Sequence, residues 1–375
     1  VPPPACGYGP PVDRAFSKTA LLQSFAECTQ LQYCLFEEVA ETFADKAKIY
    51  AEKPEPTTLQ AAQDAWYYAL QQWQVTELFR FGPAAPMMEP GGQDLRDQIY
   101  AWPNASRCAI ETQIAAQAVE GDKFLTSPAN ARGFWAAEYL LFYSNNDNDC
   151  SDTSPLNFPN GGSWAKLSAA EILKRKSRYV ASVAQDIHTR ALALISAWDP
   201  AQGDFAGTLA KAGHGSSVYN SEQTGLNAVS HGLYYADKEL KDWKIARPAG
   251  LGECTTNCAS TAESLYAKIG SANVRANLKG FRLLFQGCGR DFGGLGFDDW
   301  LRAVGAGDVA DQMITALDNA DKVMAGLDLD QAFAKAPSRV VPARDALKGI
   351  TDILKTDMMT VLNLERPMAL EGDND

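Results

Sequence analysis

From about Phe16 onward, apolar residues recur at three- and four-residue intervals, and the Val, Ile and Thr alternation expected of strands is nearly absent. Residues three and four apart share one face of an α-helix, so each segment carries a stripe that must be buried against another helix. The expected fold class is therefore all-α. With 46% hydrophobic and 21% charged residues over 375 positions, the chain can bury one large core or two ordinary ones, and disorder is excluded for most of it.

Helix limits follow from breakers and caps. The segment Val1 to Asp13 carries five of the 19 prolines and is expected to be an extended arm. Pro54 and Pro56 separate a long first helix, about 15–52, from a second running to about Phe79, where Phe81-Gly82-Pro83 ends it. Ser127-Pro128 reads as an N-cap with Pro at the first helical position, opening a helix to about Tyr143. Ser168 with Glu171, and Ser260 with Glu263, read as capping boxes that open helices over 168–198 and 260–286. Further helices are expected over 217–241, 306–325 and 340–363.

Asn145 to Asp152, followed by Pro155, Pro159, Gly161 and Gly162, reads as a solvated linker; it lacks the turn glycine and closing glutamate of a calcium loop. The expected organisation is a proline-rich arm (1–14), an N-terminal helical bundle (15–160), a C-terminal helical bundle (161–366) and an acidic tail (367–375). Gly133 to Tyr143 can be laid over Gly225 to Tyr235 with four identities in eleven positions. An internal duplication and two unrelated amphipathic helices both account for that.

Charge narrows the partners. There are 34 Lys and Arg against 46 Asp and Glu, a net −12, so no nucleic acid is expected, because phosphate neutralisation needs clustered cations. The nearest basic run, Lys174 to Arg178, reads as a solvated helix face. The longest nearly unbroken apolar stretch, 191–198, is eight residues, far short of the roughly 20 of a transmembrane helix. Eight cysteines without paired Cys-x-x-Cys spacing point to disulfides and an oxidising compartment, with a short loop between Cys254 and Cys258; buried free thiols are the alternative. A chain that starts at Val1, with no basic or apolar leader, leads to the expectation that a targeting segment was removed.

Candidate chemistry is sparse. The three histidines, His188, His214 and His231, form no His-x-x-x-His pair; His214 reads as a polar loop residue and the others as core-edge residues. Gly287 to Gly296 reads as a helix C-cap and loop, with phosphate binding a minor alternative. Glu138 stands out, because its helical face is otherwise aromatic and leucine-rich and a buried carboxylate needs a partner. Two readings stand side by side: pairing with a nearby arginine that locks the helix, or a ligand-binding or catalytic group in a cleft.

Several blocks occur in a telling order: Trp66 running into Thr76-Glu77-Leu78-Phe79-Arg80-Phe81-Gly82-Pro83; Trp102-Pro103; Gly133-Phe-Trp135-Ala-Ala-Glu138-Tyr-Leu-Leu-Phe142; Asp242-Trp-Lys244 through Pro248 and Gly250; and Asn277-Leu-Lys-Gly280. Over roughly residues 60 to 300 they resemble the imelysin-like family of exported bacterial proteins. The resemblance implies a two-domain helical fold, a periplasmic or outer-membrane-attached location, often with a lipid anchor, here upstream of Val1, and a cleft near the signature helix. Some relatives are regarded as metallopeptidases and others are associated with iron acquisition.

The family signature Gly-x-His-x-x-Glu is met here with Trp135 in place of histidine. His and Glu at i and i+3 share a helix face and can hold one ion, whereas an indole nitrogen has no lone pair to offer. No metal or other cofactor is therefore expected, with zinc or iron entering only if Glu138 recruits other ligands. The expected site is a cleft formed by Trp102, Arg132, Gly133, Trp135 and Glu138, suited to a small polar or cationic molecule or a peptide end. The leading functional expectation is a non-enzymatic binding or accessory protein linked to iron or nutrient uptake. The alternatives are a metal-dependent peptidase and an envelope scaffold for a partner protein.

Overall fold

The computed structural model describes residues 7–119, 121–159 and 162–367, apart from the side chain of Asp122. The parts of the expected arm and acidic tail at 1–6 and 368–375, including Cys6, lie outside the described residues, as does Gly161. Among the described residues there is no strand, and the all-α expectation holds.

The helices are α1 (Lys18–Glu52), α2 (Pro56–Thr76), α3 (Arg107–Ala116), α4 (Gly121–Leu125), α5 (Gly133–Phe142), α6 (Ala169–Trp198), α7 (Phe205–Ala210) and α8 (Glu222–Ser230). After a 3-10 turn and a π-helical stretch, Asp237–Ala246, come α9 (Gly270–Phe285), α10 (Phe297–Ala303), α11 (Gly307–Ala325), α12 (Leu329–Lys335), α13 (Val341–Ile353) and α14 (Met359–Leu362).

Local chemistry explains the long elements. The Ser17 hydroxyl accepts from the Ala20 amide to start α1, Pro56 occupies the first turn of α2, and Ser168 accepts from the Glu171 amide to start α6. α1 packs along both α2 and α6, α5 rests on α6, and α9 lies on α2. Phe36, Trp73 and Phe134 meet where α1, α2 and α5 converge, with centroids 4.9 Å apart for Phe36–Trp73 and 6.4 Å for Trp73–Phe134. Buried apolar residues from Ala20 to Leu364 form one continuous cluster. Gly280 lets α9 approach closely, since a Cβ there would lie 2.4 Å from the Val75 carbonyl oxygen.

Several local expectations are corrected. Ser260 to Glu263 does not cap a helix: Cys258–Thr261 is a single 3-10 turn and the helix begins only at Gly270. Glu263 is drawn into the interior by long-range partners instead. The helix expected from Ser127 to Tyr143 is broken at Arg132, whose extended backbone separates a 3-10 turn from α5. The helix expected over 217–241 begins at Glu222 and loosens after Ser230 into 3-10 and π turns. Lys176 does not face solvent with its basic neighbours; it is 4% exposed and donates to the carbonyls of Tyr143 and Asn145.

The cysteines pair as the compartment argument expects. Cys28–Cys288, Cys108–Cys150 and Cys254–Cys258 are disulfides, Cys34 is also disulfide-bonded, and no free cysteine occurs among the described residues. Cys108–Cys150 ties the Asn-rich loop to α3, and Asn157 donates to Asn148 and to the Cys150 carbonyl. The stretch is thus anchored at its centre rather than freely solvated.

Candidate functional site

Gly133 begins α5 with φ +73°, and a Cβ there would stand 2.3 Å from the Ile99 carbonyl oxygen. Only glycine combines that conformation with that approach. The contact lets the Phe134 amide donate to Ile99 at 3.0 Å, docking the start of the signature helix on the segment that continues to Trp102.

Trp102 and Trp135 are brought together. Both are 9% exposed, and both line a pocket of about 200 Å³ with Arg247 and Thr261. Trp135 meets Tyr266 edge to face at 5.8 Å, and Trp102 meets Trp243 likewise at 6.4 Å. A second pocket of about 470 Å³ shares Trp102 and Pro103, joined by a cis bond, and is bounded by Arg80, Arg96, Lys238, Glu239 and Trp243.

The remaining two candidates lie apart. Arg132 turns toward α6, with its guanidinium 3.8 Å from Asp186 and 5.9 Å from the Phe124 ring. Glu138 is 1% exposed, and one of its oxygens accepts from the amides of Tyr266 and Ala267 at 2.8 and 2.9 Å. Burial pushes its carboxyl up to about 8, against the pull of those two amides, and the nearby carboxylates of Glu263 and Asp330 push the same way. Neither reading from sequence anticipated this arrangement, in which Glu138 holds the backbone of the 264–268 segment rather than an arginine.

Under the tryptophans lies a buried polar network that sequence reasoning did not single out. The Lys244 ammonium is 2.8 Å from Glu263 and 3.8 Å from Glu77, and donates to Gln74 at 2.5 Å and Asn277 at 2.9 Å. Tyr100 donates to Glu263, and Asn273 donates to its other oxygen. Tyr235 donates to Glu77, whose second oxygen pairs with Arg96. Burial, then the adjacent carboxylates, push both tyrosine hydroxyls well above their ordinary range, so they act as donors. Two buried carboxylates facing one lysine and one arginine balance in charge, the condition under which ions survive in a low-dielectric interior. Glu77, Lys244 and Asn277 each sit within one of the ordered sequence blocks, so the signal was present. What no spacing conveyed is that the blocks converge in space.

At the signature helix the residues do not fit a metal centre. Trp135 offers only an N–H, and Oε1 of Glu138 is taken up by two amides. The histidines face Glu37, Glu222 and Glu89 elsewhere. No group of three or more His, Cys, Asp or Glu positioned to hold a metal occurs among the described residues.

Comparison with known proteins gives a consistent picture. The sequence profile of the imelysin family, peptidase family M75, matches residues 32–354. Iron-regulated protein A of Synechococcus elongatus is 24% identical in a 245-position alignment that covers 60% of this chain and 58% of that protein; the match thus spans little more than half of that relative's length. An imelysin-like protein of Psychrobacter arcticum superposes with a TM-score of 0.67 at 19% identity, over 95% of this chain and 100% of that one. A protein described as an iron-regulated protein A precursor, from Parabacteroides distasonis, superposes with a TM-score of 0.70 at 16% identity, over 94% and 97%.

Proposed function

Because this chain belongs to the imelysin family, we propose that it is an exported binding or accessory protein, tied to iron or nutrient supply, whose ligand seats in the cleft at Trp102. The observation that carries the reading is the meeting of two pockets, of about 470 and 200 Å³, at the Trp102–Pro103 bond. Their walls combine indole faces with charged groups held in place: Arg80 pairs with Glu239 at 2.5 Å, and Arg96 is anchored on Glu77. Flat apolar walls with a few fixed polar groups suit a small polar or cationic molecule, or a peptide end. The buried Lys244 network gives that wall a rigid base, since its members are held by partners from distant parts of the chain.

Two further observations support the setting. Disulfides persist in oxidising compartments, and three are present among the described residues. The names of two relatives contain "iron-regulated", which supports the link to iron supply. A lipid anchor and an envelope protein partner belong to the same proposal.

Thermal-shift screening against polar, cationic and peptide ligands tests the cleft. A ligand that stabilises the wild type should lose its effect in Trp102→Ala and Trp135→Ala, both with unchanged helical circular dichroism. Equal stabilisation of both variants would place the ligand elsewhere and sink the proposal for this cleft. Fractionation of the source cells, grown with and without an iron chelator, tests export and regulation together.

A further inference from the structure

A groove of about 680 Å³ lies between α2 and α9 and shares no lining residue with the cleft at Trp102. One wall is aromatic. Tyr67 and Tyr68 project from α2, with Tyr68 65% exposed, and Phe292 also lines the groove. Phe292 sits in the glycine-rich loop after α9, where it and Asp291 adopt left-handed backbones at φ 59° and 52°. Such conformations are unfavourable for these residue types and persist only where the surroundings impose them. The Cys28–Cys288 disulfide pins the start of that loop to α1, and the Arg282 guanidinium lies 5.7 Å from the Phe292 ring.

The other wall is cationic. Arg282 is already neutralised by Asp318 at 2.7 Å and Asp321 at 2.8 Å. Arg275 and Lys279, one turn apart on α9, are exposed and have no carboxylate partner among the described residues. Like charges at i and i+4 repel and work against the helix. In a chain with 46 acidic residues and a net −12, two adjacent unpaired cations facing three aromatic rings serve no evident structural purpose.

We propose that this groove binds an organic anion carrying a flat ring, the ring lying against Tyr67, Tyr68 and Phe292 and the acid group meeting Arg275 and Lys279. The volume falls within the range of small-molecule sites, and a delocalised ring against aromatic faces with an acid between two cations uses every unusual feature of the groove.

The test uses a matched pair of fluorescent probes: 8-anilinonaphthalene-1-sulfonate, and N-phenyl-1-naphthylamine, which has the same rings without the acid. The sulfonate should bind saturably at one site per chain and more tightly than the amine. In Arg275→Gln/Lys279→Gln its Kd should rise at least tenfold, with less than a twofold change for the amine, while Tyr68→Ala weakens both probes. Raising salt from 50 to 500 mM should weaken the sulfonate several-fold, because exposed charges are screened. Trp102→Ala should leave sulfonate binding unchanged. The positions are exposed, so the melting temperature should stay within 2 °C of wild type, about the precision of the assay. Equal binding of both probes, no saturable binding, or indifference to the double substitution would overturn the proposal.

Discussion

Replacing Lys244 by Met isolates what the buried network contributes. The ammonium is 1% exposed and faces Glu263 at 2.8 Å and Glu77 at 3.8 Å. Methionine keeps most of the volume but removes the charge. Glu77 keeps Arg96 and Tyr235, whereas Glu263 keeps only the neutral donors Tyr100, Gln74 and Asn273. Leaving one buried charge uncompensated costs about 3–5 kcal/mol. With an unfolding entropy of about 2.1 cal/mol/K per residue, or ~0.8 kcal/mol/K for the whole chain, a loss of about 4 kcal/mol lowers Tm by roughly 5 °C. Urea unfolding followed by circular dichroism, with m checked for constancy, would measure it. The partner substitution Glu263→Gln removes the stranded charge, so the double variant should be more stable than the sum of the two single losses implies, by about 1–3 kcal/mol. A Lys244→Met protein within 1 kcal/mol of wild type (less than the ~1.4 kcal/mol of a tenfold change), or strictly additive losses, would refute the claim that Lys244 neutralises Glu263.

Three other outcomes are expected. The Glu138 carboxyl is pushed up to about 8 in the folded protein from about 4.5 unfolded, so the native state holds a proton that the unfolded chain has released across that window. Stability should therefore fall by up to about 1.4 kcal/mol per pH unit as pH rises from 5 to 8, and Glu138→Gln, which keeps a carbonyl acceptor for Tyr266 and Ala267, should flatten that slope; equal slopes would count against the burial argument. Gly133→Ala should lose about 3 kcal/mol or more in urea unfolding, combining a left-handed backbone with a Cβ pressed on the Ile99 carbonyl. By loop-closure entropy, removing Cys28–Cys288, which spans 260 residues, should cost about 5.6 kcal/mol, against about 2 kcal/mol for Cys254–Cys258, which spans four; the reverse order of Tm losses would contradict it.

Much of the fold was legible because its causes are local. The period of apolar residues identified the helices, the prolines at 54 and 56 placed the break between α1 and α2, and Ser168 began α6 within a residue of its expected start. The signature stretch also showed through: Gly133 takes a backbone position that only glycine fits, and Glu138 is a buried carboxylate with partners of its own, as its apolar face required. The site was less legible. Arg132 and Glu138 are close in sequence yet face different partners, because Arg132 lies just outside α5 with an extended backbone. Trp102 and Trp135 come to line one pocket because the approach at Gly133 docks α5 against the 99–103 segment.

Sequence alone determined the helical class and the family, since periodicity and ordered blocks are properties of the chain itself; it pointed to oxidised cysteines, and the structure paired them. Tertiary structure decided which polar residues became buried partners. Ser260 and Glu263 carry the spacing of a capping box, yet Glu263 lies 3% exposed beside Lys244 and Tyr100, and the helix starts seven residues later, at Gly270. A cap is worth about 1 kcal/mol, whereas a cation left without its carboxylate in the interior costs several times more. The stronger interaction prevailed, and it exists only after α2, α9 and the 237–246 stretch have packed together.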